Sequence, residues 1–378
     1  MLRLELFPAE QGDAILMEYG EPPALHRVLI DAGTPATAPR LIERLERLRQ
    51  DERQFDLLVV THVDTDHIGG VLKLLEAKVP GLNFHDVWFN AWRHLDPLAP
   101  KKKSSRLGDI DGEILGNQLD KAGWPWNEAF GGHAISVPDD GAPPTRPLRG
   151  KMNMTVLSPG LKQLLRLRGR WRESARAAGL DPENPDYAEN LLKKARQKGV
   201  KSSLLGEAEI DVTDLAGSRF RSDAAIANGS TIALYAEYGG TGVLLGGDAY
   251  APVMAASIGR LLAARGLRRL PAGAFKLAHH GSAGNVSNEL LALVDTRRYL
   301  FSTSGAVFGH PDDQAVARVI AAPTDGAKTL YFNYTADTIA ANKAKKKRDL
   351  PDWAALAEPF RCEVSFPEHD AAGILLEL

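Results

Sequence analysis

The sequence predicts an α/β protein whose functional residues lie at the carboxyl ends of its strands. Residues 55–60 form a short apolar run, which is typical of a buried parallel strand. Residues 66–77 follow with apolar side chains at helical spacing. Histidine or aspartate comes directly after this strand and recurs after later apolar segments. Because α/β proteins bind ligands beyond the carboxyl ends of their strands, this repetition predicts one shared site.

The other predicted elements form two regular stretches separated by an irregular one. Further strands are predicted over residues 2–7, 13–19, 27–30, 86–89, 154–159, 230–238, 243–245, 275–278, 299–302, 329–332 and 373–378. Further helices are predicted over residues 38–49, 161–178, 188–198, 251–264 and 287–293. We therefore expect a catalytic domain built from residues 1–90 and 226–378. Residues 91–225 are expected to be an insertion or lid that supplies one core strand.

Length and composition are those of an ordinary globular protein. The 378 residues suffice for one large domain or two average ones, and 44% are hydrophobic and 25% charged. No apolar run approaches the roughly 20 residues that cross a bilayer, and the amino terminus lacks the apolar stretch of a signal peptide. The single cysteine, Cys362, excludes an internal disulfide framework and a cysteine-based zinc site. We expect a cytoplasmic protein without a membrane partner.

The charge balance predicts no general attraction to nucleic acid. The formal net charge is -2, so any such binding must come from local basic patches. Basic side chains cluster at residues 101–106, 166–172 and 343–348, and the last of these is predicted to be a loop over 342–349. A solvated surface is the favoured interpretation of each cluster, and a phosphate-binding track is the alternative.

The densest group of chemically versatile side chains follows the strand at residues 55–60. His62, Asp64, Asp66 and His67 occupy four of six consecutive positions. Imidazole and carboxylate are the side chains that hold first-row metals, and a cation relieves the repulsion between closely spaced acids. The alternative is a polar turn in which Asp66 only caps the following helix. The density of the group favours a metal site.

Three later segments carry residues of the same kind. Asp248 follows an apolar strand and a double glycine, which leaves room for close approach of backbone and metal. His279 and His280 end the next apolar strand, and His310 lies in a Gly-His-Pro sequence. A single Gly-Asp or a lone histidine is weak support for a site. Four such segments of His/Asp type together predict a metal centre.

The combined motifs resemble the metallo-β-lactamase superfamily. Residues 61–70 resemble its His-x-His-x-Asp-His signature, and they are closest to the His-x-Asp-x-Asp-His of the ComEC-like competence nuclease domain. The Gly-Asp-Ala, His-His-Gly-Ser and Gly-His-Pro sequences follow in the same order, and residues 10–16, 29–33 and 228–230 are also similar. The resemblance covers residues 1–90 and 226–335, without the membrane-spanning part of the competence protein. The superfamily's usual histidine between the first cluster and the Gly-Asp has no clear counterpart. Asn228 stands nearby, and His133 is a remote candidate.

The resemblance implies an α/β fold of the αββα type, with two mixed β-sheets flanked by helices and a large insertion. It also implies two divalent metal ions. His62 and Asp64 would bind one metal and Asp66 and His67 the other. Asp248 would bridge the two, and His279 would complete the second site. Asp64 stands where most relatives carry histidine, and this extra carboxylate makes Mn²⁺ as suitable as Zn²⁺, with Mg²⁺ also possible.

The implied activity is metal-assisted hydrolysis, most plausibly of DNA or RNA, and a role in defence against foreign DNA is suggested by analogy. A hydroxide activated by two metals would attack the phosphodiester. Asp66 would orient this hydroxide, and His310 or His280 would stabilise the transition state or protonate the leaving oxygen. Ser282, Asn228 and His310 would contact the substrate, although local loop hydrogen bonding is an equally good interpretation of Ser282 and Asn228.

Two other functions remain open at the level of sequence. A small-molecule hydrolase of the same fold would cleave a lactone, a thioester or a cyclic nucleotide, and the near-neutral net charge favours it slightly. A catalytically silent binding protein is disfavoured because every acidic and imidazole position of the motifs is present. Nucleic acid is the expected substrate partner, and residues 91–225 are the expected surface for any protein partner.

Overall fold

The computed structural model describes residues 1–95, 110–177 and 210–378. The strands in these ranges are β1 (Leu2–Leu6), β2 (Ile15–Glu21), β3 (Ala24–Ile30), β4 (Gln54–Phe55), β5 (Leu57–Val59), β6 (Asn83–Phe84), β7 (Val87–Trp88), β8 (Thr145–Pro147), β9 (Asn153–Ser158), β10 (Ala233–Tyr238), β11 (Thr241–Leu245), β12 (Leu270–Pro271), β13 (Ala274–Lys276), β14 (Val294–Asp295), β15 (Arg298–Phe301), β16 (Lys328–Phe332), β17 (Cys362–Ser365) and β18 (Ile374–Glu377).

The helices in the same ranges lie mostly between strands. They are α1 (Ala38–Glu46), α2 (Thr65–Ala77), α3 (Trp92–Leu95), α4 (Ile110–Ala122), α5 (Leu161–Ala177), α6 (Val212–Gly217), α7 (Ile226–Gly229), α8 (Ala251–Arg265), α9 (Asn288–Ala292), α10 (Asp313–Ala321), α11 (Ala336–Ala344) and α12 (Trp353–Ala357). None of these helices combines the length and the apolar composition that crossing a bilayer requires.

Two large mixed sheets form the centre of the described structure. The first has six strands in the order β18-β1-β2-β3-β5-β7. The second has eight strands in the order β17-β16-β15-β13-β11-β10-β9-β8. Within them, β3, β5 and β7 run parallel to one another, as do β11, β13, β15, β16 and β17. Parallel neighbours end at the same sheet edge, so both sheets present several carboxyl-terminal strand ends together.

The strands alternate their side chains between two cores. Leu4 and Met17 of the first sheet meet Val156, Leu234 and Val243 of the second in the core between the sheets. This alternation follows from the two-residue period of a β-strand. The opposite face of each sheet is also buried, which explains why the central strands are apolar on both faces.

Helices cover the outer faces of both sheets. Helices α1, α2, α4 and α5 contribute buried residues to the core outside the first sheet. Helices α6, α8, α9, α10, α11 and α12 contribute to the core outside the second sheet. The layers therefore follow the order helices, sheet, sheet, helices, which is the αββα arrangement that the sequence implied.

The described parts of residues 91–225 are attached to these same cores. Strands β8 and β9 extend the second sheet at its edge. Leu115 of α4 and Leu164 of α5 belong to the core outside the first sheet, and Val212 of α6 belongs to the core outside the second. The division into a catalytic domain and an insertion at 91–225 stays a prediction.

Two local predictions differ from the structure, and two fall outside the described residues. The apolar run at 55–60 is split between β4 and β5, because the two strands pair in different sheets: β4 pairs with β6, whereas β5 lies between β3 and β7. The basic segment 342–349 is not a loop throughout, since α11 continues to Ala344. The predicted helix at 188–198 and the basic residues at 101–106 lie outside the described residues.

Candidate metal centre

The site lies where the carboxyl ends of parallel strands from both sheets meet. Strands β3 and β5 of the first sheet end there, as do β11, β13 and β15 of the second. The backbone N–H of Ile232 donates to the carbonyl oxygen of Thr61 at 2.9 Å, which links the two sheets. The N–H of His279 donates to the carbonyl oxygen of Gly247 at 2.7 Å. These hydrogen bonds hold strand ends that are distant in sequence at fixed positions beside one another.

The first turn of α2 carries two of the predicted metal-binding residues. Asp64 occupies the N-cap position, but its side chain makes no capping hydrogen bond. Asp66 and His67 follow within the first turn, so Asp66 is not the N-cap residue. The carboxylate of Asp64 is therefore available to the site instead of being used for helix capping.

Asp248 lies at the centre of the site, and its Oδ1 atom faces two of the predicted residues, one of which also lies near Asp66. The Nε2 atoms of His67 and His280 lie 3.5 and 3.6 Å from Oδ1, and Asp66 Oδ2 lies 4.0 Å from His280 Nε2. We call Asp66, His67 and His280 the inner group. The sequence placed His279 with Asp66 and His67, whereas the structure brings His280 to that position.

The Oδ2 atom of Asp248 faces a second set of residues. The Nε2 atoms of His62 and His279 lie 3.8 and 3.7 Å from it. Asp64 Oδ2 lies 3.6 Å from His62 Nε2. We call His62, Asp64 and His279 the outer group. The two oxygens of one carboxylate thus face two separate pairs of imidazoles.

Neighbouring histidines reach different oxygens of Asp248 because the backbone is left-handed at both positions. His279 has a φ of 48° and His280 a φ of 57°. A left-handed conformation costs a non-glycine residue roughly 1–2 kcal/mol, and such conformations concentrate at functional sites. The two successive left-handed residues turn one imidazole towards the inner group and the other towards the outer group.

The two imidazoles of the inner group are fixed through their Nδ1 atoms. His67 Nδ1 lies 2.7 Å from Asp31 Oδ2, and His280 Nδ1 lies 2.8 Å from the carbonyl oxygen of Ser302. Both partners only accept hydrogen bonds, so each Nδ1 carries the proton. The Nε2 atoms are consequently the ones directed at Asp248. Asp31 also accepts hydrogen bonds from the backbone N–H and the hydroxyl of Thr61.

The imidazoles of the outer group are held in the same way. The Thr61 hydroxyl donates to Asp31, so it accepts the proton of His62 Nδ1 at 3.0 Å. His279 Nδ1 donates to Asn285 Oδ1, also at 3.0 Å. Hydrogen bonding of the remote nitrogen is the usual means by which proteins orient metal-binding histidines.

The donor atoms without a hydrogen-bond partner at this centre are suited to bind a metal ion. His62 Nε2, His67 Nε2, His280 Nε2 and Asp248 Oδ1 are buried and have no hydrogen-bond partner among the described residues. Leaving such groups unpaired in a protein interior is costly, and a cation removes the cost. Four compact sets of three residues have their donor atoms within 4.8 Å of one another. They are His62 with His67 and Asp248, Asp66 with His67 and His280, Asp13 with Asp31 and His67, and Asp13 with Asp248 and His280.

The electrostatics of the protein alone already favour charged groups at this position. Burial raises the pKa of Asp248, but the imidazoles of His279 and His67 outweigh burial and hold this pKa well below its usual value. Burial lowers the pKa of His67, but the carboxylates of Asp248 and Asp31 hold it well above its usual value. The protons that these histidines carry without metal would be exchanged for metal ions.

The double glycine before Asp248 is required by close packing. A Cβ atom on Gly246 would lie 2.8 Å from the backbone nitrogen of Ala278 on the neighbouring strand end. Gly247 has a φ of 48°, and its Cβ would lie 2.4 Å from a methyl carbon of Thr231. The glycines therefore allow the ends of β11 and β13 to approach each other and aim Asp248 between the imidazole pairs.

A second carboxylate, which the sequence did not indicate, supports the outer group. Asp223 Oδ2 lies 3.5 Å from His279 Nδ1 and accepts a hydrogen bond from Asn228 Nδ2 at 2.7 Å. Burial opposes the effect, but Asp248 and Asp223 raise the pKa of His279 to about 9. The hydrogen bond with His279 in turn lowers the pKa of Asp223 to about 2 against the effect of burial. Asn228 thus lies beside the outer group, 3.3 Å from His279 Nδ1.

His310 lies at the rim of the site. Its ring centroid is 5.1 Å from that of His279, and its Nδ1 is 3.4 Å from Asp312 Oδ1. Burial lowers the pKa of His310 despite Asp312, so the imidazole is neutral near pH 7. Ser282 is largely buried, and its hydroxyl accepts a hydrogen bond from the N–H of Gly284 at 3.3 Å. The substrate contacts of Ser282, Asn228 and His310 stay predictions.

A buried ion pair behind the inner group was also not predicted from the sequence. Lys276 on β13 pairs with Asp13, and both side chains are almost fully buried. Asp13 Oδ1 lies 3.6 Å from His280 Nδ1. A lysine inside an apolar strand is a usable sequence signal, because a buried ammonium needs a partner. The sequence does not reveal that this partner is Asp13.

Buried imidazoles and carboxylates that meet between two sheets define a candidate metalloenzyme. The model of the metallo-beta-lactamase superfamily matches residues 9–304, and the chain belongs to this superfamily. The superfamily typically binds divalent metals, often two, and membership supports a metal-dependent hydrolase. The predicted resemblance to the superfamily and the predicted fold class are confirmed.

Several solved structures are similar to the chain at low identity. The metallo-beta-lactamase fold protein YhfI from Bacillus subtilis is 12% identical, with 100% of both chains covered and a TM-score of 0.38. A Cronobacter sakazakii metallo-beta-lactamase described by its HARLDQ motif is 19% identical over 40% of this chain and 51% of its own, with a TM-score of 0.20. Its S60 mutant is also 19% identical, over 38% of this chain and 45% of its own, with a TM-score of 0.20. The chain therefore spans about half the length of the Cronobacter protein. No curated protein shows significant similarity to the chain.

Proposed function

We propose that the protein is a nuclease or phosphodiesterase that uses two divalent metal ions, Mn²⁺ or Zn²⁺, with Mg²⁺ possible. The inner group of Asp66, His67 and His280 would hold one ion. The outer group of His62, Asp64 and His279 would hold the other, and Asp248 would bridge them. This assignment exchanges His279 and His280 relative to the resemblance, because His280 lies with Asp66 and His67.

The observation that carries the proposal is the position of Asp248 between two imidazole pairs. Each of its oxygens has two Nε2 atoms at 3.5–3.8 Å. A carboxylate with both oxygens directed at separate nitrogen sets has the arrangement of a bridging ligand between two cations. Two metals so placed supply Lewis acidity for water activation and neutralise charge on a phosphoryl oxygen.

The protein's own residues would position the reactants. Asp66 is the least buried member of the inner group, so its carboxylate can accept a proton from the attacking water while it binds metal. His310 stands at the rim, and its lowered pKa disfavours the protonated form. It would therefore contact the substrate and stabilise the transition state by hydrogen bonding, and protonation of the leaving oxygen would fall to another group. Asn228 and Ser282 would contact the substrate. His280 would serve as a ligand, since Ser302 fixes its remote nitrogen.

A phosphodiester is the favoured substrate for two reasons. The order of the motifs resembles the ComEC-like nuclease domain, and nucleic acid is the substrate that this resemblance implies. Basic residues from the segment 343–348 also pack beside the loop that carries His310, since a Cβ atom on Gly309 would lie 3.4 Å from Arg348 Nη1. A role in defence rests on analogy alone. The second candidate, a small-molecule hydrolase, is favoured only by the net charge of -2.

The direct test is hydrolysis of labelled DNA and RNA by purified protein loaded with Mn²⁺, Zn²⁺ or Mg²⁺. We expect shortened products, and we expect the double variant Asp66→Ala with His67→Ala to lose them while remaining folded. The control is Asp51→Ala, because Asp51 is an exposed carboxylate in the short 3-10 helix before β4. Turnover of a lactone or cyclic nucleotide without cleavage of any nucleic acid would instead establish the second candidate.

A further inference from the structure

An exposed aromatic side chain stands beside the outer group of the metal centre. Phe308 is 52% exposed, at the tip of the loop that leads into His310. Its ring centroid lies 6.3 Å from that of His279 and 5.8 Å from that of His310. Large aromatic side chains are normally kept out of water, and one that is exposed next to a reactive site is a candidate for contact with a ligand.

Cationic side chains lie against the same loop. A Cβ atom on Gly309 would lie 3.3 Å from Lys346 Cδ and 3.4 Å from Arg348 Nη1. Arg348 is about half exposed, and its nearest acidic group is Asp312, whose Oδ1 lies 3.6 Å from Nη1. The combination of a free aromatic face with adjacent cations is the arrangement by which proteins bind single-stranded nucleic acid.

Other basic residues of this segment are already engaged. Lys343 is buried and pairs with Asp313 at 3.0 Å, and Lys345 donates to Asn342 Oδ1 at 2.9 Å. Lys343 therefore contributes to the stability of α11 against α10, whereas Lys346 and Arg348 face the loop at the site. Only part of the basic segment is positioned to meet a substrate.

We propose that Phe308 stacks on the nucleobase next to the scissile phosphate, while Lys346 and Arg348 bind the neighbouring phosphate, so that the enzyme prefers single-stranded substrates. This inference rests on the proposed phosphodiesterase function. Phe308 contacts the His279 and His310 rings at the rim, so a base on its outer face would lie beside the metal centre. A base in a duplex is already stacked between its neighbours and cannot use this face without being unpaired.

The test compares single-stranded and duplex oligonucleotides of one sequence, as DNA and as RNA, with the metal-loaded protein. We expect Phe308→Ala to lower kcat/KM on the single strand about tenfold, mainly by raising KM, because it removes the aromatic side chain on which the base stacks. Phe308→Trp should restore the wild-type value, because it retains an aromatic face. Val307→Ala is the matched control, since Val307 is 46% exposed at the neighbouring position. It should change kcat/KM less than twofold.

A second comparison isolates the stacking contact. In an oligonucleotide with abasic positions around the cleavage point, the difference between Phe308→Ala and wild type should shrink to less than twofold. Arg348→Ala should weaken cleavage of both oligonucleotides to a similar extent and reduce the dependence of KM on salt. The DNA and RNA arms show which nucleic acid the site accepts.

The outcomes separate this inference from the function on which it rests. Cleavage that requires Asp66 but is unchanged in Phe308→Ala overturns the stacking proposal and leaves the phosphodiesterase in place. Equal rates on single strand and duplex also overturn it. Hydrolysis of a lactone or thioester, without cleavage of any phosphodiester, overturns both.

Discussion

The inner and outer groups of the metal centre share Asp248 but differ in how firmly the protein holds them. His67 and His280 of the inner group have fully buried side chains, and Asp66 is 14% exposed. In the outer group, Asp64 is 44% exposed and His279 is 18% exposed, while only His62 is fully buried. The first set is enclosed by strand ends of both sheets, and the second opens towards the rim.

The difference in burial implies different roles for the inner and outer groups. An enclosed set of donors with fixed imidazoles is prepared for one geometry, which favours permanent occupation. A set with an exposed carboxylate, and with the Asn228 amide 3.3 Å from His279 Nδ1, leaves more room for water and substrate. We therefore expect the inner group to be the structural anchor of the centre and the outer group to be the position where substrate enters.

The largest effect is expected from Asp248→Asn, which would remove the charge that both groups share. We expect the loss of both metals and a fall in kcat/KM of roughly 10³-fold or more, because metal ions stabilise transition-state charge by several kcal/mol and each 1.36 kcal/mol is a factor of ten. The measurements are elemental analysis and hydrolysis rates, with circular dichroism as the check on folding. A variant that keeps two bound metals would show that Asp248 does not bridge the centre.

The next largest effect is expected in metal content, when His280 and His279 are replaced one at a time. His280→Ala removes a buried donor of the inner group, so we expect it to lower the metal content below that of His279→Ala at equal protein concentration. Titration of the wild-type protein with a chelator should remove metal in two steps, the outer ion first. Elemental analysis after each addition measures this. Equal losses in both variants, with a single chelation step, would remove the distinction between the groups.

A smaller effect is expected from Asp31→Asn, which leaves all proposed ligands in place. Asp31 accepts the His67 Nδ1 proton, and an amide would hold the imidazole less firmly. Loss of such a partner typically costs 10–100-fold in metal affinity or activity. The corresponding change in the outer group, Asn285→Ala, should cost less, because His279 also has Asp223 nearby. Metal dissociation constants for both variants test this order.

The sequence located most of this centre because its main signals are local. Apolar runs and helical spacing placed β5, α2 and β11, and the density of acids and imidazoles marked residues 62–67. The sequence could not show which of His279 and His280 lies with Asp66 and His67. The two side chains are identical and adjacent, and their left-handed backbone conformations arise from tertiary packing. Lys276 and Asp13 are 263 positions apart, and no local period connects them.

Asp223 shows a different limit of prediction from sequence. It precedes α7 in a stretch without strand or helix periodicity, so nothing in its surroundings separated it from an ordinary surface aspartate. Its contacts with His279 and Asn285 depend on a distant segment that meets residues 223–228 only in the folded chain. Residues that support a ligand are therefore harder to predict than the ligands themselves, because their chemistry is ordinary and only their position is special.

The smallest expected effect is a pH dependence of stability that comes from His279 of the outer group. Its folded-state pKa of about 9 lies above the usual 6.5, so its interactions with Asp248 and Asp223 stabilise the metal-free protein fully below about pH 6.5. That contribution falls as the pH rises through 9, because the folded protein then releases a proton that the unfolded chain has already lost. We expect the difference in free energy of unfolding between wild type and His279→Ala to decrease by on the order of 2 kcal/mol over this range, after allowance for partial exposure. Denaturant unfolding in excess chelator at pH 6 and pH 9.5 measures it, with Asp51→Ala as the control. A difference that stays constant with pH would mean that the pKa of His279 is the same in the folded and unfolded protein, so that Asp248 and Asp223 do not hold a proton on it.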